Sequence, residues 1–317
     1  MGYNIVKRPE LLAPAGSMST LRAAVEAGAD AVYLGAGKFS ARANAQNFHG
    51  DALAEAIGYA RENGVAVHLA VNTLMTDREL EEAIALVGCA YHLGAAAFIV
   101  QDIGLGARIR QAYPDAVLHA STQMTARSLE DVRALGRLGF ARVVMARELS
   151  RAQLEKIAGS TAVGLEVFVH GALCASYSGQ CLMSSFMGGR SANRGKCAQP
   201  CRLPYSNAKP GGKSGVLLSL KDLCLIDYIR ELCEMGIASL KIEGRMKGED
   251  YVRAVVRAYR AALDGKPPTQ KQKAEMLRVF DRGGYTDGYF AGNKNNMYMK
   301  ALKNPYGHSA PRSDNRT

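Results

Sequence analysis

Short apolar runs recur along the whole chain, and most of them begin just after a glycine. Between the runs, apolar residues return at three- and four-residue spacing, which is the period of helices with one buried face. The runs themselves are continuous rather than alternating, a pattern typical of parallel strands buried on both faces. We therefore predict eight strands, at 10–16, 28–35, 64–72, 94–102, 115–123, 139–148, 164–172 and 236–245, and helices that include 51–63, 77–94 and 128–139.

Glycines stand where several predicted helices end. A glycine commonly follows the last helical residue, because it lacks the Cβ that disfavours a positive φ. We expect this backbone conformation at Gly28, Gly64, Gly94, Gly139 and Gly236. Each of these helices then ends where the next strand begins.

Eight strand-helix units favour a (β/α)8 barrel of the TIM type, and an open doubly wound sheet is the alternative. Nearly every predicted strand ends in a polar group. In a barrel these groups converge on one face, where such enzymes place their sites, whereas in an open sheet they would spread along an edge. The groups are Asn72, Gln101, Asp102, His119, Gln123, Arg147, Glu148, His170, Glu243 and Arg245.

The barrel is expected to span 8–265, with a cysteine-rich segment at 170–205 in the long connection between strands seven and eight. A helix over 248–266 closes the fold, with an apolar inner stripe and a basic outer one. The inner stripe comprises Val252, Val255, Val256 and Tyr259, and the outer one Arg253, Arg257 and Arg260. Residues 266–317 are expected to form a short helix around 270–281 and then a flexible tail from Asp281.

Four cysteines within twenty-eight residues form the pattern C-x6-C-x15-C-x3-C in a segment rich in glycine, serine and arginine. They are Cys174, Cys181, Cys197 and Cys201. Irregular, glycine-rich backbone can wrap a metal centre and direct N–H groups at its sulfurs. Cys89, Cys224 and Cys233 lie instead in apolar stretches, where a small buried thiol packs well.

Three other readings of the four cysteines stay open. Disulfides need an oxidising compartment, but the chain shows neither an apolar signal segment nor a stretch that could span a bilayer, so we expect a cytoplasmic protein. Structural zinc sites of four thiolates usually show two close C-x2-C pairs, and here six residues separate the first pair. Ordinary thiols are the third alternative. We favour an iron-sulfur cluster.

Positive charge is concentrated in one half of the chain. The formal net charge is +11; residues 1–157 hold 16 Lys/Arg against 16 Asp/Glu, and residues 158–317 hold 24 against 13. A basic half of this size favours a polyanionic partner such as RNA, because neutralising phosphates gives affinity without sequence preference. Charge that serves only solubility is the alternative.

Several motifs resemble those of the peptidase U32 family, the collagenase-like proteins, over about residues 8–290. They are EVFVHGALCASYSGQC, RSANRGKCAQPCRLPY, LLSLKD, SLKIEGRMK, ELLAPAG and GADAVYLG. The paired RSANRG and QPCRLPY, with VQDIG and HASTQ, are most similar to the branch that hydroxylates a cytidine of large-subunit ribosomal RNA. A sister branch hydroxylates the wobble uridine of tRNA.

The resemblance implies a [4Fe-4S] cluster held by Cys174, Cys181 and Cys197. Cys201 matches the fourth cysteine of the RNA branches, whereas a ubiquinone-hydroxylating branch has its last cysteine near the position of Ile242 or Glu243. The resemblance also implies prephenate, a dicarboxylate, as the oxygen donor and an RNA pyrimidine as the substrate. Members of the ribosomal RNA branch are longer, so RNA targeting would come from a separate domain or a partner.

Arginines are the residues expected to receive such a dicarboxylate, because their planar guanidinium binds carboxylate in a bidentate manner. The candidates are Arg42, Arg147 and Arg245; the alternative is a salt bridge inside the barrel, from Arg147 to a neighbouring strand or from Arg245 to Glu243. His170, Glu243 and Arg245 form the predicted catalytic group, with His170 either a proton relay or a hydrogen-bonded core histidine. Arg190 and Arg194 are predicted to bind the substrate.

Proteolysis is the alternative function, because the family was named for it. The chain has neither an HExxH zinc helix nor a G-x-S-x-G elbow. His170 lies near Cys174, but a thiolate that ligates a cluster is not free to attack an amide. Oxygen insertion into a pyrimidine needs a redox cofactor, which the cysteines would hold, so hydroxylation fits the residues better.

Overall fold

A computed structural model describes residues 8–43, 45–206 and 214–299. Eight parallel strands pair in the order β1 to β7 and then β11, and β11 pairs in turn with β1, which closes a barrel. The (β/α)8 prediction is confirmed, and the open sheet is excluded. The strands are β1 Glu10–Pro14, β2 Ala31–Gly35, β3 Ala66–Val71, β4 Ala97–Val100, β5 Leu118–Ala120, β6 Arg142–Val144, β7 Gly164–Ala172, β8 Tyr205–Ser206, β9 Ser214–Gly215, β10 Asp222–Cys224, β11 Ser239–Ile242 and β12 Tyr285–Thr286.

The helices alternate with the strands as the periodicity predicts. The five predicted helix-ending glycines have φ values between 71° and 95°. Strand β2 is buried along its whole length, as expected of a strand between a barrel interior and a helical layer. The helices are α1 Met18–Glu26, α2 Asp51–Glu62, α3 Asp77–Leu93, α4 Ile103–Ala112, α5 Leu129–Arg137, α6 Arg151–Ala158, α7 Met183–Gly188, α8 Ile229–Glu234, α9 Glu249–Leu263, α10 Gln270–Val279 and α11 Gly288–Ala291.

Helix α9 closes the barrel as predicted. All four residues of its apolar stripe are fully buried. The basic stripe is tied to the first strand-helix unit, since Arg253 pairs with Glu26 and Arg260 pairs with Asp30. The long connection from β7 to β11 carries the four cysteines, which is also where the sequence places them.

A polar layer fills the barrel interior. Lys241 Nζ donates to Glu166 Oε1 at 2.7 Å, and Arg142 pairs with both Glu166 and Glu10. Two acidic and two basic groups therefore neutralise one another. His68 and His119 complete the layer, and burial lowers the pKa of both, so they are neutral. The layer is charge-balanced without a metal ion, although ligand atoms of His68, His119 and Glu166 lie within 4.8 Å of one another.

The expectation of a flexible tail from Asp281 is wrong for residues 281–299. Strand β12 pairs with β10, and Tyr298 bridges to Leu220. Phe290, Met297 and Met299 are buried. Single apolar anchors separated by glycine and asparagine give no helical or strand period, so the pattern missed this segment. Residues 300–317 lie outside the described part of the chain.

Candidate functional site: a cationic, cysteine-lined cavity

A cavity of about 450 Å³ lies at the carboxyl ends of the barrel strands, with the cysteine segment forming part of its wall. Five of the predicted strand-end groups line it: Asn72, Gln123, Arg147, Glu243 and Arg245. Gln101 does not line the cavity but contacts a residue that does, since its Oε1 accepts from Asn193 Nδ2 at 2.8 Å. The predicted convergence on one face is thus confirmed for these groups. His119 and His170 do not reach the cavity.

All four cysteines of the cluster line this cavity. No three of their sulfurs lie within 4.8 Å of one another. The Gln199 amide donates to Cys197 Sγ at 3.4 Å, and Ser184 Oγ lies 3.9 Å from the same sulfur. Burial raises the pKa of the Cys201 thiol, while Arg202 acts in the opposite direction. Donors therefore already point at the Cys197 sulfur, as metal-bound thiolates require.

The other three cysteines lie apart from the cavity. Cys224 and Cys233 are partly buried, as expected of packed thiols. Cys89 was expected to be buried too, but it is exposed on the outer face of α3. The apolar stretch around it is a helix with one buried face, and Cys89 lies on the other.

Glu243 holds two arginines at the cavity wall. Its Oε2 accepts from Arg147 Nη2 at 2.7 Å and from Arg42 Nη2 at 3.1 Å. Burial alone would raise the pKa of Glu243, but Arg42, Arg147 and Arg245 outweigh it and hold the pKa at about 2. Glu243 is therefore a poor proton acceptor. The salt-bridge alternative applies to Arg147 and Arg42, which makes Glu243 an anchor for both arginines.

Arg245 is a buried guanidinium without an ion pair in the described part of the chain. Only 4% of the residue is exposed, and its Nε and Nη1 have no hydrogen-bond partner. Ser40 Oγ and Asn47 Oδ1 are equally unpartnered. A Cβ on Gly35 would lie 2.4 Å from Arg245 Nη1 and 2.8 Å from both oxygens. Burial, followed by the effect of Arg42, lowers the pKa of Arg245 to about 10.

The cavity wall carries seven basic side chains and one acidic side chain, Glu243. The basic residues are Arg42, Arg147, Arg202, Lys241, Arg245, Lys247 and Arg282. The Lys247 ammonium lies over the Phe280 ring and makes neither an ion pair nor a hydrogen bond within the described residues. Burial, with Arg282 nearby, lowers its pKa to about 7. Neither Lys247 nor Arg282 was singled out by sequence pattern, and Arg282 falls in the expected tail. Lys241 and Arg282 pair with Glu166 and Asp222 outside the wall, but the other five basic side chains still outnumber Glu243. This surplus of positive charge favours an anionic ligand.

His170 lies on the far side of β7 from the cavity. Its Nδ1 is 3.3 Å from Tyr259 Oη, and the rings of Tyr251 and Tyr285 surround it. Burial lowers its pKa to about 3. His170 therefore lies in the core with its imidazole against Tyr259, the position that the core-histidine alternative expects. A register shift against β11 at Lys241 and Ile242 breaks the alternation of β7, which is why sequence spacing misplaced this side chain.

Arg190 and Arg194 lie on the outer surface of the cysteine segment and do not line the cavity. Arg194 pairs with Glu79 and donates to the Leu74 carbonyl. Arg190 Nε donates to the Lys196 carbonyl at 3.0 Å. Any contact of these arginines with substrate is therefore outside the cavity.

Fold and site together define a (β/α)8 barrel protein with a cysteine-lined cationic cavity at the face where such barrels carry their chemistry. The chain belongs to peptidase family U32, whose sequence model matches residues 16–300.

Curated relatives support this assignment. The chain is 42% identical over 287 residues to the 23S rRNA 5-hydroxycytidine C2501 synthase of Escherichia coli K12, covering 89% of this chain and 43% of that protein. It is 38% identical over 273 residues to tRNA hydroxylation protein P1 of Bacillus subtilis 168, covering 82% and 64%. The chain thus spans about half the length of these relatives. The solved U32 peptidase Mk0906 shares the fold, with a TM-score of 0.51 and 15% identity over 74% of this chain and 93% of that one.

Proposed function

We propose that the chain is an iron-sulfur-dependent hydroxylase that adds oxygen to a pyrimidine base of RNA, either a 23S rRNA cytidine or a tRNA wobble uridine. The observation that carries the proposal is the meeting of four thiols and an unpaired buried arginine in one cavity. The names of the two RNA-modifying relatives give the reaction class. The reaction takes place in the cytoplasm, where RNA and reduced thiols occur together.

The sequence and setting of the thiols support a cluster over a single zinc ion. Four-thiolate zinc sites usually show two close C-x2-C pairs, whereas six residues separate the first two cysteines here. All four thiols line one cavity on irregular, glycine-rich backbone, and the Gln199 amide already donates to the Cys197 sulfur, as in iron-sulfur sites. Cys174, Cys181, Cys197 and Cys201 would hold a [4Fe-4S] cluster, which supplies the redox chemistry that the side chains lack.

The cationic wall supports a small dicarboxylate as the oxygen donor, for which the family resemblance implies prephenate. A buried charge without a partner is unfavourable, so Arg245 gains a counter-ion when a carboxylate binds. Lys247 is also without an ion pair and lies on the same wall. Arg42 and Arg147 are held in place by Glu243, so they present fixed donors to a second carboxylate. These residues bind and orient the donor beside the thiols.

The same geometry argues against peptide hydrolysis. No histidine of the described residues lines the cavity, and His170 faces Tyr259 on the other side of β7. None of the four thiols therefore has an adjacent imidazole base there, which a cysteine peptidase needs. For RNA targeting we keep the expectation of a separate domain or a partner, which the family resemblance implies.

Nucleoside mass spectrometry of ribosomal and transfer RNA from a deletion strain tests the proposal. One pyrimidine should be lighter by one oxygen, and the wild-type gene should restore it while Cys197→Ser should not. RNA that is unchanged in the deletion strain, together with cleavage of gelatin by the purified protein, would establish the peptidase instead.

A further inference from the structure

Helix α7 presents large apolar side chains to solvent. Phe186 is 93% exposed and Leu182 is 74% exposed, and Met187 beside them is 54% exposed. Phe186 is the most exposed of the large hydrophobic residues that the structure describes. Scattered single residues of this kind need no explanation, but adjacent ones mark interaction surfaces.

Hydrogen bonds fix α7 against the cysteine loop. Ser184 is buried, and its Oγ accepts from the Ala198 amide at 3.1 Å, one residue after Cys197. Met183 and Cys181 line the cavity. The ring of Phe186 therefore stands within one helical turn of the cavity wall, on backbone tied to a cluster cysteine.

Two cations without carboxylate partners stand beside this helix. Ser185 Oγ donates to the Arg190 carbonyl at 3.1 Å, and Arg190 Nε donates to the Lys196 carbonyl at 3.0 Å. Neither the Arg190 nor the Lys196 side chain pairs with a carboxylate anywhere in residues 8–43, 45–206 or 214–299. An exposed aromatic ring next to free cations is the combination that binds single-stranded nucleic acid, through base stacking and phosphate contacts.

We propose that one surface around helix α7 binds unpaired nucleotides next to the target base of the RNA. This surface, the α7 surface, comprises Leu182, Phe186, Met187, Arg190 and Lys196. This inference rests on the proposed function. The ring of Phe186 stacks on a base while Arg190 and Lys196 contact the phosphates. A second copy of the chain is disfavoured as occupant, because each copy carries a net charge of +11.

The chain contains no tryptophan, so Phe186→Trp introduces a single fluorescent reporter into the full-length protein. Titration with a 12-nucleotide single-stranded RNA should quench its emission, whereas the matched duplex should not. Leu138→Trp, at an exposed site on α5's end, is the control and should not respond to either RNA.

Affinity measurements complete the test. Phe186→Ala should weaken single-strand binding by roughly 5- to 150-fold, the range for losing one stacked base, and Phe186→Tyr should retain it. Replacing Arg190 and Lys196 by glutamine should reduce the slope of log affinity against log salt by about 1.4, from two lost phosphate contacts. Iron content should be unchanged in every variant.

The inference is overturned by wild-type affinity of Phe186→Ala for single-stranded RNA. It is equally overturned if the Phe186→Ala change abolishes self-association, or binding to anionic phospholipid vesicles, while leaving RNA affinity intact. A third outcome would contradict the proposed function alone. In it, RNA binding by the purified protein depends on Phe186, but the deletion strain shows no change in its RNA modifications. The two failures are therefore distinguishable.

Discussion

Replacing Glu243 with glutamine tests the electrostatic description of the cavity. The carboxylate accepts from both Arg42 and Arg147, and its side chain is only 11% exposed. The substitution keeps the size of the side chain and removes the charge. The guanidiniums of Arg42 and Arg147 then lie near each other and near Arg245, and the cavity wall holds no acidic side chain to neutralise them. We expect the protein to remain folded and to be less stable.

Two routes give a similar magnitude. Removing one partner of a buried ion pair typically costs about 3–5 kcal/mol, because the other charge stays buried. Independently, the pKa of Glu243 falls from 4.5 to about 2 on folding, mainly through Arg42 and Arg147 acting against burial. At ~1.4 kcal/mol per pKa unit, this shift corresponds to about 3 kcal/mol. We therefore expect Glu243→Gln to reduce the free energy of unfolding by about 3 kcal/mol at neutral pH.

Urea unfolding followed by circular dichroism measures the change. The folded-state pKa lies below the unfolded-state value, so this stabilisation is complete above pH ~5 and is lost as the pH falls toward 2. The difference in the free energy of unfolding between wild type and Glu243→Gln should therefore narrow as the pH falls from 5 to 2. Glu234→Gln is the matched control, since its exposed pair with Arg230 should contribute less than ~1 kcal/mol. A loss below 1 kcal/mol for Glu243→Gln at pH 7 would refute the reasoning.

Three further substitutions probe the same wall. Binding of prephenate should raise the pKa of Lys247 from about 7, because an anion stabilises the protonated amine. Calorimetry in two buffers at pH 7 should then detect proton uptake on binding, and Lys247→Met should abolish that uptake. No proton uptake by the wild type would contradict this prediction. Gly35→Ala should displace the Arg245 guanidinium and weaken prephenate binding at least tenfold with a stability cost of about 1–3 kcal/mol, and unchanged affinity would argue against the arrangement. Arg245→Met should abolish prephenate binding while leaving urea stability equal or higher, and a loss above ~2 kcal/mol would show that Arg245 is structural.

Local pattern was sufficient for most of the barrel. Continuous apolar runs separated by helix-ending glycines predicted all eight barrel strands, because each strand is buried on both faces. The location of the four cysteines over the carboxyl ends followed from the strand order alone. Asn72, Gln123 and Arg147 met there because the ends of parallel barrel strands share one face.

Long-range contacts account for what the pattern could not predict. His170 points away from the cavity because of a register shift between β7 and β11, which no local spacing encodes. Arg282 reaches the cavity from a segment without periodicity, held there by pairing of β12 with β10. The pocket around the Arg245 guanidinium is built partly by Gly35 and Asn47, which are distant from Arg245 in sequence. Such features arise from tertiary packing.

The metal content of the protein after anaerobic purification tests the central claim most directly. Iron, acid-labile sulfide and zinc should be assayed on the same sample. A [4Fe-4S] cluster predicts about four irons and four sulfides per chain with little zinc, and Cys174→Ala should lose both while its circular dichroism stays that of a folded barrel. One zinc per chain, with neither iron nor sulfide, would contradict the account.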